Sequence, residues 1–468
     1  MTIIHISAEC YPVAKVGGLA DVVGALPKYQ NSPEVSSQVI MPFYNNKFTK
    51  ENVFNTIYSN QISLGNTLVN FNVLTLKENK LEFDTFFIDI PELLFKDYVY
   101  SSDDTERFLS FQIAVLDWML SWEKYPDIIH CHDHHTGLIP FMLQESYNYE
   151  AFRKIPNILT IHNAQYQGWF PHLKVGLIPP FNFNHVGLLD WGGTINPLAA
   201  AIKCAWHVTT VSPSYMEELK LAANGLESLL SAESDKCSGI LNGIDSHVWN
   251  PETDHYIIKN YNIKTVKAGA EANKKYLCDT FNLDFEKPLF AFIGRLVDEK
   301  GSDLFPEVFK LALEKNNLNI LLLGSGNSFV EQQLEALKKD YIGTYNAFIG
   351  YDEKLSHIIY SGADFLLMPS RVEPCGLNQM YALRYGTIPI VRSIGGLKDT
   401  VTDISKKDGF GICHNNATVL EITNAIDRGI NLYNDQPKYK KIRKKIMEID
   451  HSWDVSAEEY IKLYNSIN

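Results

Sequence analysis

The sequence predicts an α/β protein built from two Rossmann-like, doubly wound domains facing across a cleft, and three features of the chain carry that prediction. In the carboxyl half, short apolar segments (Leu289–Ile293, Asn319–Leu323, Ala347–Ile349, Phe365–Met368 and Ile388–Val391) alternate with helix-like stretches beginning near Ser302, Ser328, Glu353, Gly376 and Leu420. That order belongs to parallel strands joined by helical crossovers. In the amino half, Ile3–Ser7, Ile128–His132 and Ile158–His162 are short apolar runs of the kind that strands buried on both faces require. Each half also opens alike, with an apolar strand, a loop carrying a lysine, and a glycine where a helix begins (Ile3–Asp21 and Leu289–Asp303). Two such units are expected to take their ligands at the carboxyl ends of their strands, in the cleft between them.

After Ser302, residues Leu304, Val308, Leu311 and Ala312 fall on one helical stripe with Phe305 and Phe309 beside it, so this helix is expected to pack on a sheet and its apolar side chains are core. The segment Asn250–Lys287 mixes Pro, Asn, Asp and Lys without a strong period and predicts the boundary between the halves. Near the carboxyl end, the basic run Lys438–Lys445 (KYKKIRKK) reads as the solvated face of a late helix.

Composition excludes several classes. With 45% hydrophobic and 21% charged residues, the chain is neither disordered nor a coiled coil. At roughly 100 to 200 residues per domain, its length favours two or three domains. A net charge of −13 repels nucleic acid and anionic lipid, and no basic run is dense enough to reverse that locally. The longest apolar runs, such as Leu138–Leu143, fall far short of the ~20 residues of a membrane span. The first lysine, Lys15, follows the amino-terminal apolar stretch instead of preceding it, the reverse of a secretory signal. Seven cysteines, at 10, 131, 204, 237, 278, 375 and 413, are scattered and never form C-x-x-C, so a reducing cytoplasm is the expected location.

Four segments could carry chemistry. In KVGGLADV, Gly17 and Gly18 allow a ligand close to the backbone, the helix-start amides favour an anion, and Lys15 adds a full charge. In FIGRLVDEKG, Arg295 and Lys300 follow a buried strand; a planar guanidinium and a compact ammonium together suit a diphosphate. In SRVEPCGLNQMYAL, a helix opening at Gly376 would leave the amides of Gly376, Leu377 and Asn378 for phosphate and Glu373 to accept hydrogen bonds from hydroxyls. Cys375 has no activating base beside it in sequence and reads as packing or substrate contact, not a nucleophile. In HCHDHHTG, His130, His132 and His134 would share a face if the strand continued, a possible zinc set. The spacing nevertheless misses H-x-H-x-D-H, because Asp133 sits one residue early.

Neither a P-loop, nor G-x-S-x-G, nor a complete G-x-G-x-x-G occurs, which argues against kinase, hydrolase and dinucleotide chemistry. Without a strict D-x-D to hold a metal, phosphate charge falls to Lys15, Arg295, Lys300 and helix amides. Two other readings remain open on residues alone: a metallohydrolase on His130, His132 and Asp133, and a non-catalytic binding module using the aromatics Tyr166, Trp169 and Phe170.

Taken together, AECYPVAKVGGLADVVGALP (8–27), HCHDHHTGL (130–138), TIHNAQYQGWF (160–170), TTVSPSYMEEL (209–219), GILNGIDSHVWNPETD (239–254), GRLVDEKG (294–301), the long segment 349–389 and GGLKDTV (395–401) resemble bacterial glycogen synthase and plant starch synthase. These are retaining glycosyltransferases that extend α-1,4-glucan from a nucleotide sugar. The resemblance implies the GT-B fold of two Rossmann-like domains. It implies an acceptor-side domain over 1–245, onto which a terminal helix in 452–468 packs back, and a donor-side domain over 246–451. By the same resemblance Lys15, Arg295 and Lys300 face the donor diphosphate, His162 lies by the transferred glucose, and Asn242 and Glu373 meet glucose hydroxyls or the reacting centre. Asp133 is implied on the acceptor side and Tyr351 near the base. ADP-glucose is the donor the bacterial and plant branch implies, although no single residue excludes UDP-glucose. No metal or other cofactor is implied. Two positions depart from the family pattern: His134 stands where tryptophan is usual, and Asn378 where threonine is common.

Overall fold

The computed structural model describes residues 1–102 and 104–468. The chain divides into two compact units, one made of Met1–Leu241 with Trp453–Asn468 and the other of Asn242–Ser452.

In the first unit a nine-stranded sheet runs in the order Cys237–Gly239, His207–Thr210, Asn157–Ile161, Ile128–His132, Thr2–Ile6, Ser36–Pro42, Asp84–Asp89, Thr67–Leu76, Phe54–Leu64. All neighbours pair in parallel up to Asp84–Asp89, and the last two strands are antiparallel. The central strands are buried on both faces, which is why they read as unbroken apolar runs. Strand order reverses between Thr2–Ile6 and Ile128–His132, so the crevice beyond their carboxyl ends is the place for a ligand. The long edge hairpin Phe54–Leu64 and Thr67–Leu76, turning at Gly65 and Asn66, is absent from the sequence reading. Its polar, mostly exposed outer strand lacks the apolar run that marks the central strands.

The terminal helix Trp453–Ile467 belongs to this first unit. Its buried Trp453, Ala457, Tyr460 and Tyr464 follow a helical spacing and pack with Val22, Leu26, Ile3 and Ile128.

The second unit holds a six-stranded, all-parallel sheet in the order Tyr345–Ile349, Asn319–Gly326, Leu289–Leu296, Phe365–Met368, Ile388–Arg392, Ile412–His414. Here the order reverses between Leu289–Leu296 and Phe365–Met368. On the helix Phe305–Lys315 the buried stripe is Phe305, Val308, Phe309 and Ala312. Leu311, expected in the core, is 40% exposed, so the stripe is rotated towards the phenylalanines.

The segment expected to be a boundary is instead part of the second unit and contains the helix Val266–Phe281. Its buried face includes Gly269, Asn273 and Lys274 among Val266, Ala270, Leu277 and Cys278, and those polar members hid the period. Each has its own partner: Asn273 Oδ1 accepts from the Ile258 amide at 2.8 Å, and Lys274 Nζ donates to Asp364 Oδ2 at 2.9 Å. KYKKIRKK lies in the helix Gln436–Ile446, which buries Tyr439, Ile442, Arg443 and Ile446 and turns Lys438, Lys440, Lys441 and Lys444 outward. All seven cysteines are unpaired. Among the described residues, no helix is long and apolar enough to cross a membrane.

Candidate active site

Each unit gathers its expected residues just past its own reversal of strand order. In the first unit, Gly17 caps the helix Gly18–Gln30 with extended backbone and no side-chain cap. A Cβ at Gly17 or Gly18 would meet nothing within 4 Å, so packing does not demand glycine there and the space above the loop is open. The loop's amides are not all free, as the sequence suggested: buried Glu9 accepts from Val16 N–H at 2.5 Å and Gly17 N–H at 3.0 Å, and Tyr100 donates to its other oxygen. An anion of the protein's own thus already occupies part of this nest. Lys15 is half exposed and pairs with Asp21 at 2.7 Å. Glu9 was a functional neighbour that sequence reasoning missed, although it lies inside the AECYP segment.

Strand Ile128–His132 ends where Asp133 adopts φ 56°, ψ −175°, and His134 opens a 3-10 turn. For a non-glycine residue this backbone stores about 1–3 kcal/mol of strain. The consequence corrects one expectation: His134 leaves the strand face, and only His130 and His132 share it. Asp133 is buried, its Oδ1 accepts the His162 amide at 2.7 Å, and burial pushes its carboxyl up to about 7. His162 is brought beside it at the end of Asn157–Ile161, and burial holds its imidazole neutral, down to about 3.

His5, His130 and His132 each have a ring nitrogen within 4.8 Å of the others, a group that could hold a metal ion. Their ring nitrogens are committed, however: His5 to Gln30 and His132, His130 to Tyr464 and Thr160, and His132 to His5 and His162. A metal would have to break this network, so the donor set does not fit one well.

In the second unit, Lys300 Nζ donates to both oxygens of Glu373, at 2.7 and 2.6 Å, and Ser370 Oγ donates to Glu373 Oε2 at 2.8 Å. The pair joins loops 73 residues apart in sequence. Their approach is set by ties the sequence did not reveal. Glu299 carbonyl accepts the Arg371 amide at 2.7 Å, and the Arg371 guanidinium forks onto Asp303 at 2.6 and 2.8 Å. Arg295 lies near the end of its strand, 71% exposed, with Nη2 3.7 Å from Glu299.

The helix after Glu373 starts at Asn378, with Leu377 as its cap residue, two positions later than expected. Gly376 has φ 75°, a left-handed conformation that glycine takes without cost. The amides of Gly376, Leu377 and Asn378 have no hydrogen-bond acceptor among the described residues, and so remain an open helix-start cradle. Asn378 Nδ2 donates to Ile293 carbonyl at 2.7 Å, tying the cradle to the neighbouring strand. Buried Gln379 donates to the carbonyls of Cys375 and Gly376 and holds the loop from below. Gly395 and Gly396 close the back: a Cβ on either would come within 2.0 Å of the Glu373 or Cys375 carbonyl. That adjacent glycine pair was the available sequence signal for this second wall.

Cys375 is buried, its thiol pushed up to about 12, with the Asn242 amide directed at it; nucleophilic chemistry there is disfavoured. Asn242 is buried and its Oδ1 has no hydrogen-bond partner among the described residues, an acceptor that a ligand hydroxyl would satisfy. Tyr351 is 84% exposed on the loop following strand Tyr345–Ile349. The structure therefore brings Lys15, Gly17, Gly18, Asp133 and His162 to one unit, and Asn242, Arg295, Lys300, Tyr351, Glu373, Cys375, Gly376, Leu377 and Asn378 to the other.

Residues 2–232 match the family described as starch synthase catalytic domain, and residues 279–447 match glycosyl transferases group 1. A glycogen synthase of Flavobacterium johnsoniae is 54% identical, covering 100% of this chain and 99% of the relative. One from Thermodesulfovibrio yellowstonii is 37% identical over 100% and 98%. Among solved structures, the catalytic domain of starch synthase IV from Arabidopsis thaliana, bound to ADP and acarbose, superposes with a TM-score of 0.86 at 32% identity, covering 100% of this chain and 99% of that one. A sucrose-phosphate synthase from Thermosynechococcus elongatus, at 17% identity and TM-score 0.62, shares the fold.

Proposed function

This chain belongs to the glycogen and starch synthase family of GT-B glycosyltransferases, and on that premise we propose that it transfers glucose from ADP-glucose to the non-reducing end of an α-1,4-glucan, with retention of configuration. The observation that carries the reading is the second unit's cradle: open amides at Gly376, Leu377 and Asn378 beside the Lys300–Glu373 pair, at the reversal of strand order.

Departure of the nucleoside diphosphate concentrates negative charge on its terminal phosphate. Lys300, Arg295, Lys15 and the cradle amides are assigned to that charge, which they meet better as the bond breaks than before. Lys300 has three protons, so it serves a phosphate while still holding Glu373. Glu373 and the unsatisfied Oδ1 of Asn242 are assigned to glucose hydroxyls, Cys375 to the wall beside them, and Tyr351 to the base. Neutral His162 is assigned to the transferred glucose, and Asp133, in the first unit, to the acceptor. The acceptor 4-hydroxyl then attacks the oxocarbenium-like carbon on the face the diphosphate leaves, and its proton passes to the departing phosphate. That route needs neither a carboxylate nucleophile nor a metal.

The ADP held by the Arabidopsis relative supports ADP-glucose as donor. Seven unpaired cysteines agree with a reducing cytoplasm as the site of action. Comparison of kcat/KM for ADP-glucose and UDP-glucose, with glycogen as acceptor and chelator present, tests the donor: ADP-glucose is expected to be favoured. Equal or better use of UDP-glucose would overturn the donor assignment.

A further inference from the structure

The mechanism uses His162 and leaves unexplained three buried groups that lead to it. His5 sits on strand Thr2–Ile6, His132 ends the adjacent strand Ile128–His132, and His162 follows the next strand, Asn157–Ile161. Gln30 closes the row from the last turn of the helix Gly18–Gln30. Gln30 Oε1 lies 2.8 Å from His5 Nε2, His5 Nδ1 lies 3.0 Å from His132 Nε2, and His132 Nδ1 lies 3.0 Å from His162 Nε2. Four side chains, from two strands, the residue after a third and a helix, form one continuous row of hydrogen bonds.

We infer that Gln30, His5 and His132 are positioning residues that fix the tautomer of His162, with its proton on Nε2 and its lone pair on Nδ1, so that His162 accepts a hydrogen bond from a substrate hydroxyl. The inference rests on the reading above that His162 lies beside the transferred sugar.

The direction follows from the end of the chain. An amide oxygen only accepts, so His5 Nε2 must carry hydrogen. The Gln30 amide stands with Oε1 towards His5 and towards Ser37 Oγ, which donates to it at 2.7 Å, and with Nε2 donating to Tyr464 Oη at 3.1 Å. A neutral imidazole has one proton, so His5 Nδ1 accepts from His132 Nε2, and His132 Nδ1 in turn accepts from His162 Nε2. His5 and His132 are both wholly removed from solvent, which keeps their rings neutral and the sequence of donors unbroken. His162 Nδ1 is left as the acceptor, with no hydrogen-bond partner among the described residues. The strand Thr2–Ile6, the HCHD strand and the T-I-H-N segment are thus linked at the level of single protons.

The test is long-range proton–nitrogen correlation NMR of the full-length protein labelled with 15N-histidine, with the His162 signals assigned by their loss in His162→Ala. Wild-type protein is expected to show His162 protonated on Nε2 alone. Gln30→Met removes the terminal acceptor and His5→Phe removes the first link while keeping a ring. In either variant that folds, His162 is expected to populate both tautomers. Its kcat should fall roughly tenfold, the size of one net hydrogen bond, with KM for ADP-glucose nearly unchanged. A wild-type His162 protonated on Nδ1, or an unchanged tautomer in both variants, would overturn the relay. Full turnover by His162→Ala with the wild-type tautomer as expected would instead overturn the placement of His162 beside the sugar.

Discussion

Replacing Lys300 by alanine is expected to lower kcat by about 10²–10³-fold, the loss that follows when one preorganised charge stabiliser is removed from a site of developing negative charge. The fold should survive. The Lys300–Glu373 pair is exposed by 25% on the lysine side and 8% on the carboxylate, so alanine leaves a buried Glu373 with Ser370 Oγ as its remaining donor, at a cost of about 1–3 kcal/mol, less than the stability of a domain. The expected signature is therefore a split: turnover falls by two to three orders of magnitude while the protein still folds and melts only a few degrees lower. Turnover under saturating donor and a melting curve on the same preparation read both. A melting point that falls in step with activity would mean that the pair is structural.

Acidification should unfold the first unit between pH 6.5 and about 4, an effect as large as the whole stability of a domain. Burial lowers His5 and His134 to about 4 and His162 to about 3, and holds His130, His132 and His135 well below the ordinary histidine range. In the unfolded chain these imidazoles take up protons near pH 6.5, whereas in the folded unit they remain neutral. A depressed folded value means stability is fully present above the unfolded value and is lost as pH falls towards the folded one. Asp133 works the other way: raised to about 7, it binds a proton in the folded state that the unfolded chain lacks above pH 3.8, and so offsets one histidine. These six histidines less Asp133 leave five protons, a slope of roughly 7 kcal/mol per pH unit from these groups alone, against a domain stability of about 5–15 kcal/mol; His207, also lowered, adds to it, and Asp89 and Asp117, also raised, subtract from it. Hydrogen exchange at pH 7 and pH 5 checks this, with protection expected to collapse first in strands Thr2–Ile6, Ile128–His132 and Asn157–Ile161. Equal protection at both values would mean the histidines are charged or hydrated in the folded state.

The parallel strands of the second unit were legible because residues buried on both faces must be apolar without interruption, as in Phe365–Met368. The helix Val266–Phe281 was not, because Asn273 and Lys274 on its buried face are satisfied by Ile258 and Asp364, partners distant or unmarked in sequence. The site divides in the same way. Charges and glycines on loops after strands, such as Lys15, Arg295, Lys300 and Gly376, announce themselves by residue type and place. The pairing of Lys300 with Glu373 did not, nor did the grip of Gln379 on the Cys375 loop, the capture of loop amides by Glu9, or the row from Gln30 to His162. The Lys300–Glu373 pairing and the row to His162 depend on which strands become neighbours, a property of the folded chain, whereas the grips of Gln379 and Glu9 are local and depend on the conformation their loops adopt.

The central claim is tested most directly by incubating the purified protein with glycogen, chelator and ADP-glucose labelled in its glucose. The precipitated polymer is then digested with an exo-acting enzyme that cuts only α-1,4 links from the non-reducing end. The account predicts label in the polymer, released as maltose. Label that fails to enter the polymer, or that enters and resists that digestion, would contradict it.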